Sequence, residues 1–176
     1  MSVLKRLADK IILQPTNHFI PAGGKTRRMV GVGNDDVEVW VQRTQGGELH
    51  VSDRADLFVL KFPGTGGRAE RASKHPADCW PSHAAEVWAV NPPGYGGSGG
   101  RASLRVLAPM AQAVFTALQE TAAGRPIVVT GNSLGAVIAL YVAANCPVDG
   151  LLLRNPPPLR EVIVGCHGWW NFGIGA

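Results

Sequence analysis

Residues 125 to 146 read RPIVVTGNSLGAVIALYVAANC, and no other stretch leaves the chain so few options. Ile127, Val128 and Val129 form a continuous β-branched run introduced by Gly124 and Pro126, the composition of a strand covered on both faces. The period then changes. Leu134, Val137, Ile138, Tyr141 and Val142 recur at helical spacing among alanines, and Pro147 follows where a helix has already stopped. Between strand and helix stands Ser133, bracketed by Gly131 and Gly135 as G-x-S-x-G. A turn that carries a buried strand straight into a buried helix strains the serine backbone. Side chains two residues to either side would strike the neighbouring strand or helix.

The five-residue pattern is short enough to recur, and Gly96-Gly97-Ser98-Gly99-Gly100 repeats it. Context separates the two. Ser98 lies beyond the expected strand from Glu86 to Val90, behind Pro92-Pro93 and inside a glycine-rich loop, so nothing in the sequence holds it in one geometry. Ser133 follows its strand directly and opens a helix.

With 176 residues, 45% hydrophobic and 17% charged, the chain reads as one soluble globular domain with a real core. A net charge of +4 and a pI near 9.3 raise the question of nucleic acid. The arginines are scattered, however, and no basic patch interleaved with aromatics appears. Lys25-Thr26-Arg27-Arg28 is the one basic cluster and reads as a solvated surface segment, so no nucleic-acid partner is expected. Cys79, Cys146 and Cys166 are odd in number and widely spaced, which indicates neither a disulfide framework nor a zinc site. The run Ile11-Ile12-Leu13 is too short for a signal-peptide core, and Pro126 to Leu153 is interrupted by polar residues, so no membrane span is expected. Reduced thiols in a cytoplasmic protein, with no metal and no cofactor, follow as expectations.

In chain order, residues 1–36 form a lead-in. Leu4, Leu7 and Ile11 share one face of a short amphipathic helix over 1–13, and 14–36 are rich in Gly, Pro and polar residues and read as irregular. Residues 37–155 form the core. Val37, Val39 and Val41 alternate with Glu38, Trp40 and Gln42, and Leu49 and Val51 resume the alternation after Thr44-Gln45-Gly46-Gly47, which predicts an antiparallel hairpin. Strands follow at Leu57 to Phe62, Glu86 to Val90, Ile127 to Thr130 and Gly150 to Leu153, at intervals that fit parallel strands joined by crossovers. A helix is indistinct around Ala69 to Ala85. It is clearer from Pro109 to Ala123, where Val114, Phe115 and Leu118 face one way and Gly124 terminates. Residues 156–176 read as a tail or the start of a cap-like segment.

The glycine run Phe62-Pro63-Gly64-Thr65-Gly66-Gly67 sits at the carboxyl end of its strand, where open α/β sheets place their ligands. The loop Asn91-Pro92-Pro93-Gly94-Tyr95-Gly96-Gly97-Ser98-Gly99 also fits the dinucleotide pattern G-x-G-x-x-G. That reading requires an acidic residue at the end of the next strand, where Gly131-Asn132 stand instead, so nucleotide binding is set aside.

Taken in order, the antiparallel start, the loop at Phe62 to Gly67, the Gly-Tyr-Gly loop and the elbow at Ser133 resemble the N-terminal part of the α/β-hydrolase fold family. The implied fold is an α/β-hydrolase-like sheet, an antiparallel first hairpin and then parallel βαβ units, cut short after about six strands. The resemblance implies a serine hydrolase acting on a small-molecule acyl substrate, with Ser133 as nucleophile and the backbone N–H groups of Thr65 and Leu134 as oxyanion donors. Pro63 replaces the histidine common in that family's loop.

A triad also needs a base and an acid after the serine, and the candidates are Asp149, Glu161 and His167. Asp149 precedes its strand, which puts it at the wrong end of the sheet, and His167 stands in the Trp-rich segment CHGWWNFGIGA. His18, His50, His75 and His83 precede the serine and read as surface or loop residues. The strands that would carry acid and base are not found, so if the chain ends at Ala176 little or no triad activity is expected. The alternative is a non-catalytic α/β-hydrolase-like module, or a truncated product, that associates, including with itself, through an exposed sheet edge and Trp169-Trp170.

Overall fold

The computed structural model describes residues 9–46 and 54–157. Its centre is a six-stranded mixed sheet in the order β1-β2-β4-β3-β5-β6, with β1 Thr26–Val32, β2 Asp35–Arg43, β3 Leu57–Phe62, β4 Ala85–Val90, β5 Ile127–Asn132 and β6 Gly150–Arg154. The pairs β1–β2 and β2–β4 are antiparallel. From β4 through β3 and β5 to β6 every pair is parallel. This is the antiparallel start and parallel continuation that the sequence predicts, but the hairpin has a different partner. β2 pairs with Thr26–Val32 inside the expected lead-in, across a Gly33-Asn34 turn in which Gly33 has φ 63°. Leu49 and Val51 lie outside the described residues. β1 is an outer strand with mostly exposed side chains, so it lacks the alternation that marks β2, whose Val37, Val39 and Val41 are buried.

One face of the sheet carries the main core. Phe58, Leu60, Phe62 and Val129 pack there against helix α2, Leu104–Ala122, and helix α3, Leu134–Asn145, through Met110, Val114, Phe115, Leu118, Ile138 and Val142. α2 begins five residues before the expected start at Pro109. The Ser103 hydroxyl and the Asp9 carboxylate accept from the N–H groups of Arg105 and Leu104, capping the helix, and Pro109 lies within it on the exposed side. A further helix, α1, is described over residues 9–13. Its burial corrects the expected face: Leu13 is buried and Ile12 packs on the core, while Ile11 is exposed.

The opposite face is thinner, with Val59, Ala77, Ala85 and Val87 as its buried apolar residues. The β3-to-β4 connection covers it with two 3-10 turns, Ala69–Arg71 and Ala77–Cys79, in place of the helix expected around Ala69 to Ala85. Pro76 and Pro81 divide that stretch into pieces too short for an α-helix. The basic cluster at 25–28 is not simply solvated. Lys25 donates to the carbonyls of Ala22 and Glu70, Arg27 pairs with Glu38 at 2.6 Å, and Arg28 lies over the Trp88 ring at 4.9 Å.

Among the described residues no helix is long and apolar enough to cross a membrane.

Candidate functional site

The parallel strands end together. Phe62 is in register with Gly131, and Asn132 with Arg154, so the loops after β3, β5 and β6 converge at one edge. Ser133 stands there between β5 and α3 at φ 52° and ψ −123°, a backbone conformation costly for any residue with a side chain, by about 1–3 kcal/mol. Its own main chain is tied down, the N–H donating to the Arg154 carbonyl at 2.9 Å and the C=O accepting from Ala136 at 2.8 Å.

The two bracketing glycines have the steric role that the sequence predicts. A β-carbon on Gly131 would lie 2.0 Å from the Gly135 carbonyl oxygen, and one on Gly135 would lie 2.2 Å from that of Phe62. The elbow therefore closes only because both positions lack a side chain.

The glycine loop after β3 reaches the same place. A β-carbon on Gly64 would meet the Ser133 β-carbon at 3.1 Å and the Asn132 carbonyl at 3.0 Å. Gly64 was not singled out from the sequence, where nothing distinguishes it from Gly66 and Gly67. Among the described residues the Gly64 and Thr65 N–H groups donate to no backbone or side-chain acceptor, whereas Gly66 donates to Leu13 and Gly67 to Gly64. Leu134 opens α3, so its N–H has no acceptor within the helix. Ser133 is half-buried, and no described side chain hydrogen-bonds to its hydroxyl.

Buried polar groups anchor the base of the loop. Arg68 and Glu70 form a buried ion pair, and Arg68 also donates to the carbonyls of Thr16 and His18. Asn91 accepts from the Ala69 N–H and donates to Glu38 at 2.6 Å and Glu70 at 2.9 Å. Burial pushes the Glu38 carboxyl up, but hydrogen bonds from Gly97, Asn91 and Arg27 and the Arg27 charge outweigh it, holding the group below its ordinary value.

The Gly-Tyr-Gly loop wraps this carboxylate. Gly97 N–H donates to Glu38 at 2.8 Å, and a β-carbon on Gly96 would lie 2.4 Å from the Asn91 amide nitrogen. Burial pushes the Tyr95 phenol up to about 12, with an opposing contribution from the Gly66 N–H, and its hydroxyl donates to the Leu13 carbonyl. Ser98 corrects its expected looseness. Its hydroxyl donates to the Asn91 carbonyl at 2.6 Å and accepts from the Glu38 N–H at 2.8 Å, so the loop holds it in one geometry.

Beside the elbow lies a cavity of about 270 Å³, bordered by Lys61, Gly64, Arg71, His75, Asn132 and Arg154. The Lys61 ammonium donates to the Ser73 carbonyl and hydroxyl and to the His75 carbonyl. Burial and the Arg154 charge lower its pKa, against the pull of Asp78. Lys61, Arg71 and Arg154 were not singled out from the sequence, because the cavity is assembled from the ends of β3, β5 and β6 and the crossover after β3.

Asp149 immediately precedes β6, and its carboxylate accepts from the Ile127 N–H at the start of β5 at 2.7 Å, the end of the sheet remote from Ser133, as expected. His18 and His83 are exposed and His75 stands in a turn with its side chain 40% exposed, as expected, and His75 also borders the cavity. His50, Glu161, His167 and Trp169-Trp170 lie outside the described residues.

No protein-family model and no curated protein matches the sequence. Solved structures do match the fold. An alpha-beta hydrolase from Vibrio vulnificus is 21% identical with a TM-score of 0.69, over 95% of this chain and 63% of that one. A Pyrococcus furiosus esterase is 15% identical with a TM-score of 0.60, over 85% and 61%. A lidless a/b serine hydrolase from Xanthomonas campestris is 17% identical with a TM-score of 0.58, over 80% and 65%. The chain thus spans less than two thirds of the length of each.

Proposed function

The chain has the α/β-hydrolase fold, and on that fold we propose that Ser133 is the nucleophile of a hydrolase acting on an ester, thioester or related acyl bond. The observation that carries this reading is the Ser133 backbone at φ 52° and ψ −123°, held between two glycines that admit no side chain. Costly backbone conformations of this kind cluster at active sites and ligand clamps, where they fix the position of a side chain.

In this reaction the Ser133 Oγ adds to the acyl carbon and gives up its proton. The carbonyl oxygen, now anionic, is held by the N–H groups of Thr65 and Leu134. Collapse expels the alcohol or thiol with a proton, and water then releases the acid and restores the serine. A serine hydroxyl needs a base to react at neutral pH, and His167 is the one histidine that follows Ser133 in the sequence.

The test is intact mass after exposure to a fluorophosphonate, with peptide mapping. A single adduct on Ser133, absent in Ser133→Ala, is expected. Its loss in His167→Ala would assign the base to His167, and its survival there would assign the base to another group. No adduct on a sample that melts cooperatively would overturn the reading and favour a non-catalytic module that associates through its sheet edge.

A further inference from the structure

Three side chains of different chemistry meet on the 3-10 turn that covers the thin face of the sheet. His75 Nδ1 lies 3.4 Å from Asp78 Oδ1 and 3.5 Å from Cys79 Sγ, and the sulfur lies 3.8 Å from the same carboxylate oxygen. The nitrogen–oxygen separation exceeds the range of about 2.7–3.2 Å for an N–H···O hydrogen bond. As an edge between ligands of one ion it fits. A tetrahedral zinc bound by one nitrogen, one oxygen and one sulfur at about 2.0–2.3 Å requires those atoms about 3.3–3.6 Å apart. Two edges fall in that range and the third exceeds it by about 0.2 Å.

We propose that His75, Asp78 and Cys79 form a three-ligand site for a zinc-like divalent cation, with water in the fourth position. The donor set selects the ion. Imidazole, carboxylate and thiolate together suit borderline-soft Zn²⁺, whereas Mg²⁺ and Ca²⁺ take oxygen ligands. The carboxylate and thiolate offset the two charges of the ion, so the loaded site adds little net charge beside Lys61.

The frame is in place before the metal arrives. Lys61 donates to the His75 carbonyl at 2.7 Å, the Cys79 N–H donates to the Pro76 carbonyl at 2.9 Å, and Ala77 is buried against the sheet. The spacing H-P-A-D-C brings the ligands together on one turn, a signal that counting cysteines alone passes over. His75 also borders the cavity beside the elbow, so the ion would sit at its margin.

The test is a Co²⁺ titration of the reduced, chelator-treated full chain, followed by the thiolate-to-cobalt charge-transfer band in the near ultraviolet. One equivalent is expected to give the band, and Zn²⁺ should bleach it. Cys79→Ser should abolish it. His75→Ala and Asp78→Asn should each weaken binding by about tenfold or more, and the double variant Cys146→Ser/Cys166→Ser should bind as the parent does. The His75 and Asp78 side chains are 40% and 55% exposed, so these variants are expected to keep the metal-free melting temperature of the parent. Absence of the band, its survival in Cys79→Ser, or its loss in the Cys146/Cys166 double variant would overturn the proposal.

Discussion

Gly135 and Phe62 meet so closely that a β-carbon on the first would lie 2.2 Å from the carbonyl oxygen of the second and 2.5 Å from that of Pro63. The contact joins the first turn of α3 to the end of β3. It sets the distance between the serine elbow and the glycine loop that faces it.

Gly135→Ala is therefore expected to destabilise the domain by about 3 kcal/mol or more, because the obstacle is main chain that cannot rotate away. Denaturant melts of parent and variant measure the loss. Where enough folded variant remains, fluorophosphonate labelling of Ser133 should fall too, since the loop must move off the elbow. A variant as stable and as reactive as the parent would mean that elbow and loop are not packed this way.

The two G-x-S-x-G serines are expected to fail differently. Ser98→Ala removes a hydroxyl that joins the Asn91 carbonyl to the Glu38 N–H, and it should cost about 2 kcal/mol while leaving labelling at Ser133 intact. Ser133→Ala should abolish labelling and leave stability equal to or above the parent. Labelling at Ser98 would reverse the assignment.

Acid should unfold the protein partly through Glu38. Its folded-state pKa lies below the ordinary carboxylate value, because hydrogen bonds from Gly97, Asn91 and Arg27 outweigh the upward push of burial. The unfolded chain thus binds the proton more readily. The stabilisation is complete above the ordinary carboxylate value and is lost as pH falls through the lowered one. Melting temperatures of the parent should drop across that acidic window. Glu38→Gln should melt lower at neutral pH and show a flatter acid limb, and an unchanged acid limb would remove Glu38 from the account.

Ser133, Gly131 and Gly135 were legible because strand, turn and helix are continuous in sequence there, and a sharp turn between buried elements admits few residue types. β3, β4 and β5 were legible for a similar reason: strands covered on both faces read as apolar runs. β1 was not, because an exposed outer strand needs no alternation and its partner is chosen by the Gly33-Asn34 turn. Nor was the crossover after β3, where a helix was expected and two 3-10 turns occur.

The sequence by itself determined that a serine sits on a strained strand-to-helix turn within a largely parallel sheet, since hydrophobic period and glycine spacing are local properties. Only the tertiary structure decided which groups surround it. Gly64 over Ser133, Ser98 locked against Asn91 and Glu38, and the cavity between Lys61, His75 and Arg154 each join segments far apart in the chain. Such contacts follow from strand order and register, which put the ends of β3, β5 and β6 side by side and which no local pattern encodes.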